Sequence, residues 1–183
     1  MRHVLLAVAV LALIAGAGCD HGSEKTPAQQ ASDELNRGLE AHAAGDLDKA
    51  AAAYQKVLTL DSQNKYAFYN LGLIDHTQGD AEAAEIYYRL ALNVDPNFVP
   101  ALINLAILRK NAGSAQEAID LYRQVLTIEP DNADAQLNLG LALLEIGEES
   151  EAQEHLARAV ELDPSLQTHI PTPTPTPSPT PAP

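Results

Sequence analysis

Residues 65–98 read KYAFYNLGLIDHTQGDAEAAEIYYRLALNVDPNF. Apolar residues recur at helical spacing on both sides of Gly79, and Pro96 closes the second pattern, since proline cannot continue a helix. The Asn70-Leu71-Gly72 triplet returns as Asn104-Leu105-Ala106 and Asn138-Leu139-Gly140, at intervals of 34 residues. Alignment on the triplet divides residues 31–166 into four blocks, 31–64, 65–98, 99–132 and 133–166. Breaks fall in phase at Gly45, Gly79, Gly113 and Gly147, and stops at LDSQN, VDPNF, IEPDN and LDPSL. The pattern predicts helices over 32–44, 48–59, 66–78, 82–93, 100–112, 116–127, 134–146 and 150–161.

These motifs resemble the tetratricopeptide repeat, whose skeleton is an aromatic, Leu-Gly, a second aromatic, Ala-x-x-x-aromatic and a closing proline. Block two supplies Phe68, Leu71, Gly72, Ala84, Tyr88 and Pro96; block three supplies Leu102, Leu105, Ala106, Ala118, Tyr122 and Pro130. Block four supplies Leu139, Gly140, Leu143, Ala152, Leu156, Ala159 and Pro164. Block one keeps Gly38, Ala50 and Tyr54 but has Arg37 for the leucine and Ser62 for the proline. The resemblance implies an all-α fold, a right-handed α-solenoid of four helix-turn-helix repeats. Leu71, Leu105 and Leu139 should face the partner helix. Gly72, Ala106 and Gly140 should be small because that helix crosses at Ala84, Ala118 and Ala152.

The eleventh position of each block, bulky and apolar in the family, holds Ala41, Asp75, Arg109 and Leu143. Asp75 and Arg109 either pair across the seam between repeats or reach solvent separately.

Residues 1–18 carry Arg2 and an apolar run from Val4 to Ala15, a length suited to a secretory signal and short for a membrane span. Gly16-Ala17-Gly18-Cys19 resembles a bacterial lipobox; Ala15-Gly16-Ala17 also fits ordinary signal cleavage. Cys19 is the single cysteine of the chain. A lone thiol suits lipidation better than an oxidising compartment, so a lipid on Cys19 is the expectation, with a soluble secreted protein as the alternative. Residues 19–30 then read as the lipidated Cys and a polar tether. Asp20 resembles an inner-membrane retention signal. At the other end, residues 167–183 are Pro/Thr-rich, with proline at every second position from Pro171, and predict an extended, core-free tail.

The net charge of -14, with 25 acidic residues against 11 basic ones, opposes nucleic-acid and anionic-lipid binding. The sequence holds no GxSxG, phosphate-binding glycine loop or HExxH. His42 and His76 share position 12 one repeat apart, too far to ligate one metal ion. The expectation is a protein without catalytic site, metal or cofactor.

Asn36, Asn70, Asn104 and Asn138 all hold position 6, although asparagine is a poor helix former. By resemblance, position 6 lies on the concave face of the superhelix. Positions 5 and 9 beside it are Leu35 and Leu39, Tyr69 and Leu73, Ile103 and Ile107, and Leu137 and Leu141. An apolar floor with a ladder of amides suits the backbone and side chains of an extended peptide. The alternative is that the amides bond between repeats and stiffen the array. Chaperone-tail clamps of this family need Lys or Arg where Leu35, Pro100 and Asn104 stand, so an acidic tail is not the expected ligand. The sequence thus predicts an envelope-anchored scaffold that binds a protein or peptide partner, facing the periplasm. The alternative is a non-catalytic accessory subunit of an envelope enzyme. The array also ends without a full closing helix. Val160 and Leu162 should be half covered, with Leu166 and Ile170 folding back, and helix 150–161 should support weak self-association or docking.

Overall fold

The computed structural model describes residues 25–171. Among them are eight α-helices: α1 (Pro27–Ala43), α2 (Leu47–Leu60), α3 (Lys65–Gln78), α4 (Ala81–Val94), α5 (Val99–Asn111), α6 (Ala115–Ile128), α7 (Ala133–Glu145) and α8 (Glu149–Leu162). A 3-10 turn over Pro164–His169 follows. Each helix packs on its neighbours in sequence, which makes an all-α solenoid of four hairpins.

Seven helices start and stop within about two residues of the pattern, but α1 begins at Pro27, inside the segment read as tether. Local chemistry explains this. The Thr26 side chain accepts from the Gln29 amide, the Gln29 side chain accepts from the Thr26 amide, and Pro27 stands at the first helical position. Together they form a capping box with a preorganised first residue.

The hairpin turns repeat one device. Gly45, Gly79, Gly113 and Gly147 adopt φ of 78–85°, the left-handed region that glycine enters freely. The next residue then bonds back five positions: Asp46 to Ala41 O, Asp80 to Asp75 O, Ser114 to Arg109 O, Glu148 to Leu143 O, at 2.8–3.0 Å. Asp46 and Asp80 also accept from the third amide of the following helix, as do Asn64 and Asn132 at the junctions between repeats.

The core follows the repeat. Leu71, Leu105 and Leu139 are buried, as are Tyr54, Tyr88 and Tyr122 at position 24. The tyrosines, more than the crossing alanines, explain the small residue at position 8. A Cβ on Gly72 would stand 2.7 Å from the Tyr88 ring and 3.2 Å from the Ala84 carbonyl oxygen. On Gly140 it would meet Leu156 at 2.6 Å and the Ala152 carbonyl at 3.0 Å. The tyrosine hydroxyls have no protein partner among the described residues. His42 and His76 place their ring edges against Tyr54 and Tyr88, at centroid distances of 6.5 and 6.4 Å, which gives both histidines a packing role.

Arg109 does not pair with Asp75. Its guanidinium reaches helices α4 and α6 instead, bonding Glu85 at 3.0 Å, Glu117 at 2.8 Å and the Ser114 hydroxyl at 3.0 Å. Arg89 joins the same two glutamates, at 2.8 and 2.7 Å. Burial pushes the Glu85 carboxyl up, but the Arg89 and Arg109 hydrogen bonds outweigh it and hold it below the usual range. The contact from Arg89 to Glu117 recurs one repeat later from Arg123 to Glu151, also at 2.7 Å. Arg158 reaches Asp131 of the preceding repeat at 2.6 Å.

At the C-terminal end, Leu166 is buried in one cluster with Leu137, Leu156 and Ala159, with Ile170 packed against it. Residues 167–170 thus belong to a closing turn instead of the extended tail. Val160 and Leu162 stay half-buried. Among the described residues no helix is long and apolar enough to cross a membrane.

Candidate functional site

Position 6 places its asparagines unequally. Asn70 is buried, Asn104 and Asn138 are half-buried, and Asn36 is exposed. Asn70, Asn104 and Asn138 share one local geometry. Each Nδ2 donates to the carbonyl four residues back: Tyr66 O at 2.7 Å, Pro100 O at 3.2 Å and Asp134 O at 2.8 Å. A helix carbonyl in that place is a ready acceptor for a short polar side chain. The bond fixes the amide plane and leaves Oδ1 on offer at Asn104 and Asn138, whereas Asn70, only 8% exposed, is closed off. Asn104 engages its donor group fully, because Nδ2 also donates to the Tyr69 hydroxyl of the preceding repeat at 3.1 Å. Bonding between repeats is therefore found at Asn104, while Asn70 and Asn138 bond within their own helices.

The flanking positions give an apolar surface. Tyr69, Leu73, Ile103, Ile107 and Leu141 are half-buried, and Leu39 is 45% exposed. Leu137 departs from the pattern. It is only 7% exposed, because it shares a cluster with Leu166 of the closing turn, so its side chain is not on offer to a ligand. Positions 5, 6 and 9 carry no charged residue in any of the four repeats, although the chain holds 25 acidic side chains.

Two aromatics that sequence reasoning left out complete the floor. The Phe98 ring stands edge-on to Tyr69 at 5.4 Å and to Tyr66 at 5.5 Å. Tyr66 is 48% exposed. Lys65 lies over the Phe98 ring at 4.9 Å and pairs with Asp95, whose carboxyl is held down first by that hydrogen bond. The readable signal was Phe98 at position 34, directly before α5. Burial pushes the Tyr69 hydroxyl up, and the Asn104 hydrogen bond offsets part of that.

No group of three or more His, Cys, Asp or Glu side chains converges at metal-binding distance among the described residues. Cys19 lies outside the described residues.

Comparison with known proteins agrees with this architecture. Family models described as tetratricopeptide repeat match residues 111–168 and 66–98, and a TPR repeat model matches 38–79. No curated protein matches the sequence. Among solved structures, a crystal structure of MamA superposes with a TM-score of 0.67 at 22% identity, covering 75% of this chain and 81% of that one. MamA from residue 41 of Desulfovibrio magneticus RS-1 gives 0.68 at 21%, covering 74% and 76%. PilF of Pseudomonas aeruginosa gives 0.68 at 22%, covering 76% of this chain and 64% of that one. At such identities the likeness is one of fold. With matched repeats over 38–98 and 111–168 and the solenoid they form, the chain belongs to the tetratricopeptide repeat family.

Proposed function

We propose that the inner face of the array binds an extended, uncharged segment of a partner protein, and that the chain is a non-catalytic scaffold anchored in a bacterial envelope through Cys19. One observation carries the first half. In an acidic chain, positions 5, 6 and 9 hold no charge, and the fixed amide oxygens of Asn104 and Asn138 stand among half-buried aromatic and aliphatic side chains. An extended peptide presents a backbone N–H toward such oxygens and seats alternate side chains between Tyr69, Leu73 and Ile107. Because Asn104 engages both of its N–H groups within the array and Asn70 and Asn138 one each, the ladder acts as acceptor more than as donor. A charged segment would lose its hydration against this floor without gaining a partner.

The envelope reading rests on the apolar run Val4–Ala15 ahead of a single cysteine. Two or more acyl chains on Cys19 would hold the domain at a membrane surface, since each buried methylene contributes ~0.8 kcal/mol. In detergent phase separation the natural chain partitions into the detergent phase and Cys19→Ser into the aqueous phase. Equal partitioning into the aqueous phase would remove the anchor. For the groove, peptides selected from a displayed library should be uncharged and extended. Selection of acidic or helical peptides would contradict the reading.

A further inference from the structure

The closing turn ends against the last repeat. Leu166 and Ile170 pack in the cluster that contains Leu137 and Leu141, positions 5 and 9 of the last repeat. Ile170 has extended backbone, with φ -87° and ψ 125°, and Pro171 after it is exposed. Ile170, the residue before Pro171, therefore packs on the same cluster as Leu141, the last position 9 of the column, and residues 172–183 follow in the sequence. Their sequence, TPTPTPSPTPAP, has no charged side chain. Proline every second residue favours polyproline II, which rises about 3.1 Å per residue, so twelve residues reach about 37 Å. Adjacent repeats stack about 8–10 Å apart, so the distance from the fourth repeat to the first is within that reach. One turn of polyproline II is three residues, or about 9.3 Å, close to the spacing of the repeats. With proline every second residue, each face of the tail then alternates proline with Thr, Ser or Ala from one repeat to the next.

The side-chain chemistry also matches. Proline-rich segments dock on aromatic surfaces, and Tyr66, Tyr69 and Phe98 supply one. The residues between the prolines supply backbone N–H groups, and all but Ala182 a hydroxyl as well, for the Oδ1 atoms of Asn104 and Asn138.

We infer that residues 172–183 occupy the inner groove of their own chain and compete with the partner segment, an inference that rests on the groove being the peptide site. The tail is tethered at high effective concentration, so even a weak contact holds it in place until a better ligand displaces it.

Two measurements on the same preparations test this. The first uses the full chain as Cys19→Ser, with a spin label on Ala182→Cys and isotope-labelled methyl groups. The Leu39 and Leu73 methyl signals should broaden, with labelled chains diluted in unlabelled ones. The second titrates a synthetic peptide of residues 171–183 against the chain ending at Pro171 and against the full chain. Binding should be about tenfold tighter to the shortened chain. No broadening together with equal binding would overturn the inference. Broadening only when label and isotope sit on different chains would overturn it in favour of a second copy as the donor. If the tail peptide fails to bind but library peptides bind the shortened chain, the tail is excluded and the groove survives. If neither binds, both readings fall.

Discussion

The Asn104 side chain donates to the Tyr69 hydroxyl at 3.1 Å, joining α5 of the third repeat to α3 of the second. Tyr88, one helix away, is fully buried, and its hydroxyl has no protein partner among the described residues. Two tyrosines in one array thus stand in opposite polar environments, and the same substitution should act on them differently. Tyr69→Phe removes a hydrogen bond and should cost about 1 kcal/mol. Tyr88→Phe removes a buried hydroxyl that gains nothing in the fold and should be neutral or stabilise by up to about 1 kcal/mol. Chemical denaturation of both variants checks the order; a larger loss from Tyr88→Phe would contradict it.

Gly72 tests the packing of the pair. A Cβ there would meet the Tyr88 ring at 2.7 Å and the Ala84 carbonyl at 3.2 Å. Gly72→Val overfills the crossing and should destabilise by about 2–4 kcal/mol, the overpacking loss plus a β-branched residue in a helix. The Cβ that alanine adds already meets the ring, so Gly72→Ala should cost stability too, though less than valine, since the third repeat holds Ala106 opposite Tyr122. A Gly72→Ala chain as stable as the natural one would show that the Tyr88 ring yields without loss.

Asp75 carries a pH signature. Burial pushes its carboxyl above the ordinary value of 3.8, and the Asp80 charge adds to that. A carboxyl whose pKa is raised on folding costs stability once it ionises, as pH rises through the raised value. Asp75→Asn should therefore melt higher than the natural chain at neutral pH. The difference should close as pH falls below the ordinary aspartate value. A variant that melts lower at neutral pH would contradict this.

Arg109 joins Glu85, Glu117 and Ser114, whereas Arg123 makes one bridge, to Glu151. Arg109→Ala also leaves two glutamates facing each other beside Arg89. It should lower the melting temperature more than Arg123→Ala does, and the gap should narrow at about 1 M salt, where the screening length is about 3 Å. A gap that persists in salt would point to lost packing instead of lost charge.

The period, the hairpins and the buried leucines were legible because each rests on contacts within one repeat, where sequence offset fixes distance. The start of α1 was also written locally, in Thr26-Pro27-Ala28-Gln29, but a polar segment next to a proline reads equally as linker. The partner of Arg109 was not legible. Its long side chain chooses among carboxylates on two different helices, and equivalence of position with Asp75 says nothing of which lies nearer. The burial of Leu137 depends on how residues 164–170 fold back, which no repeat template specifies. The asparagines were visible as a column, but their engaged donors follow from a side-chain rotamer, which the spacing does not determine.

The central claim is that the asparagine column binds a ligand, beyond the bracing that Asn104 gives the second and third repeats. The two roles are separable in size. Asn→Ala in a helix loses a local hydrogen bond of about 1 kcal/mol and regains up to about 0.7 kcal/mol of propensity, while Asn104→Ala also loses the bond to Tyr69, about 1 kcal/mol more. The measurement is the affinity of a library-selected peptide for the chain ending at Pro171, natural and Asn104→Ala/Asn138→Ala, with the melting temperature of each and of Tyr69→Phe. The account predicts binding weakened at least about tenfold, one lost charge-neutral bond per asparagine, with a melting temperature lowered no further than by Tyr69→Phe. A lowered melting temperature with unchanged affinity would contradict it and make the asparagines structural.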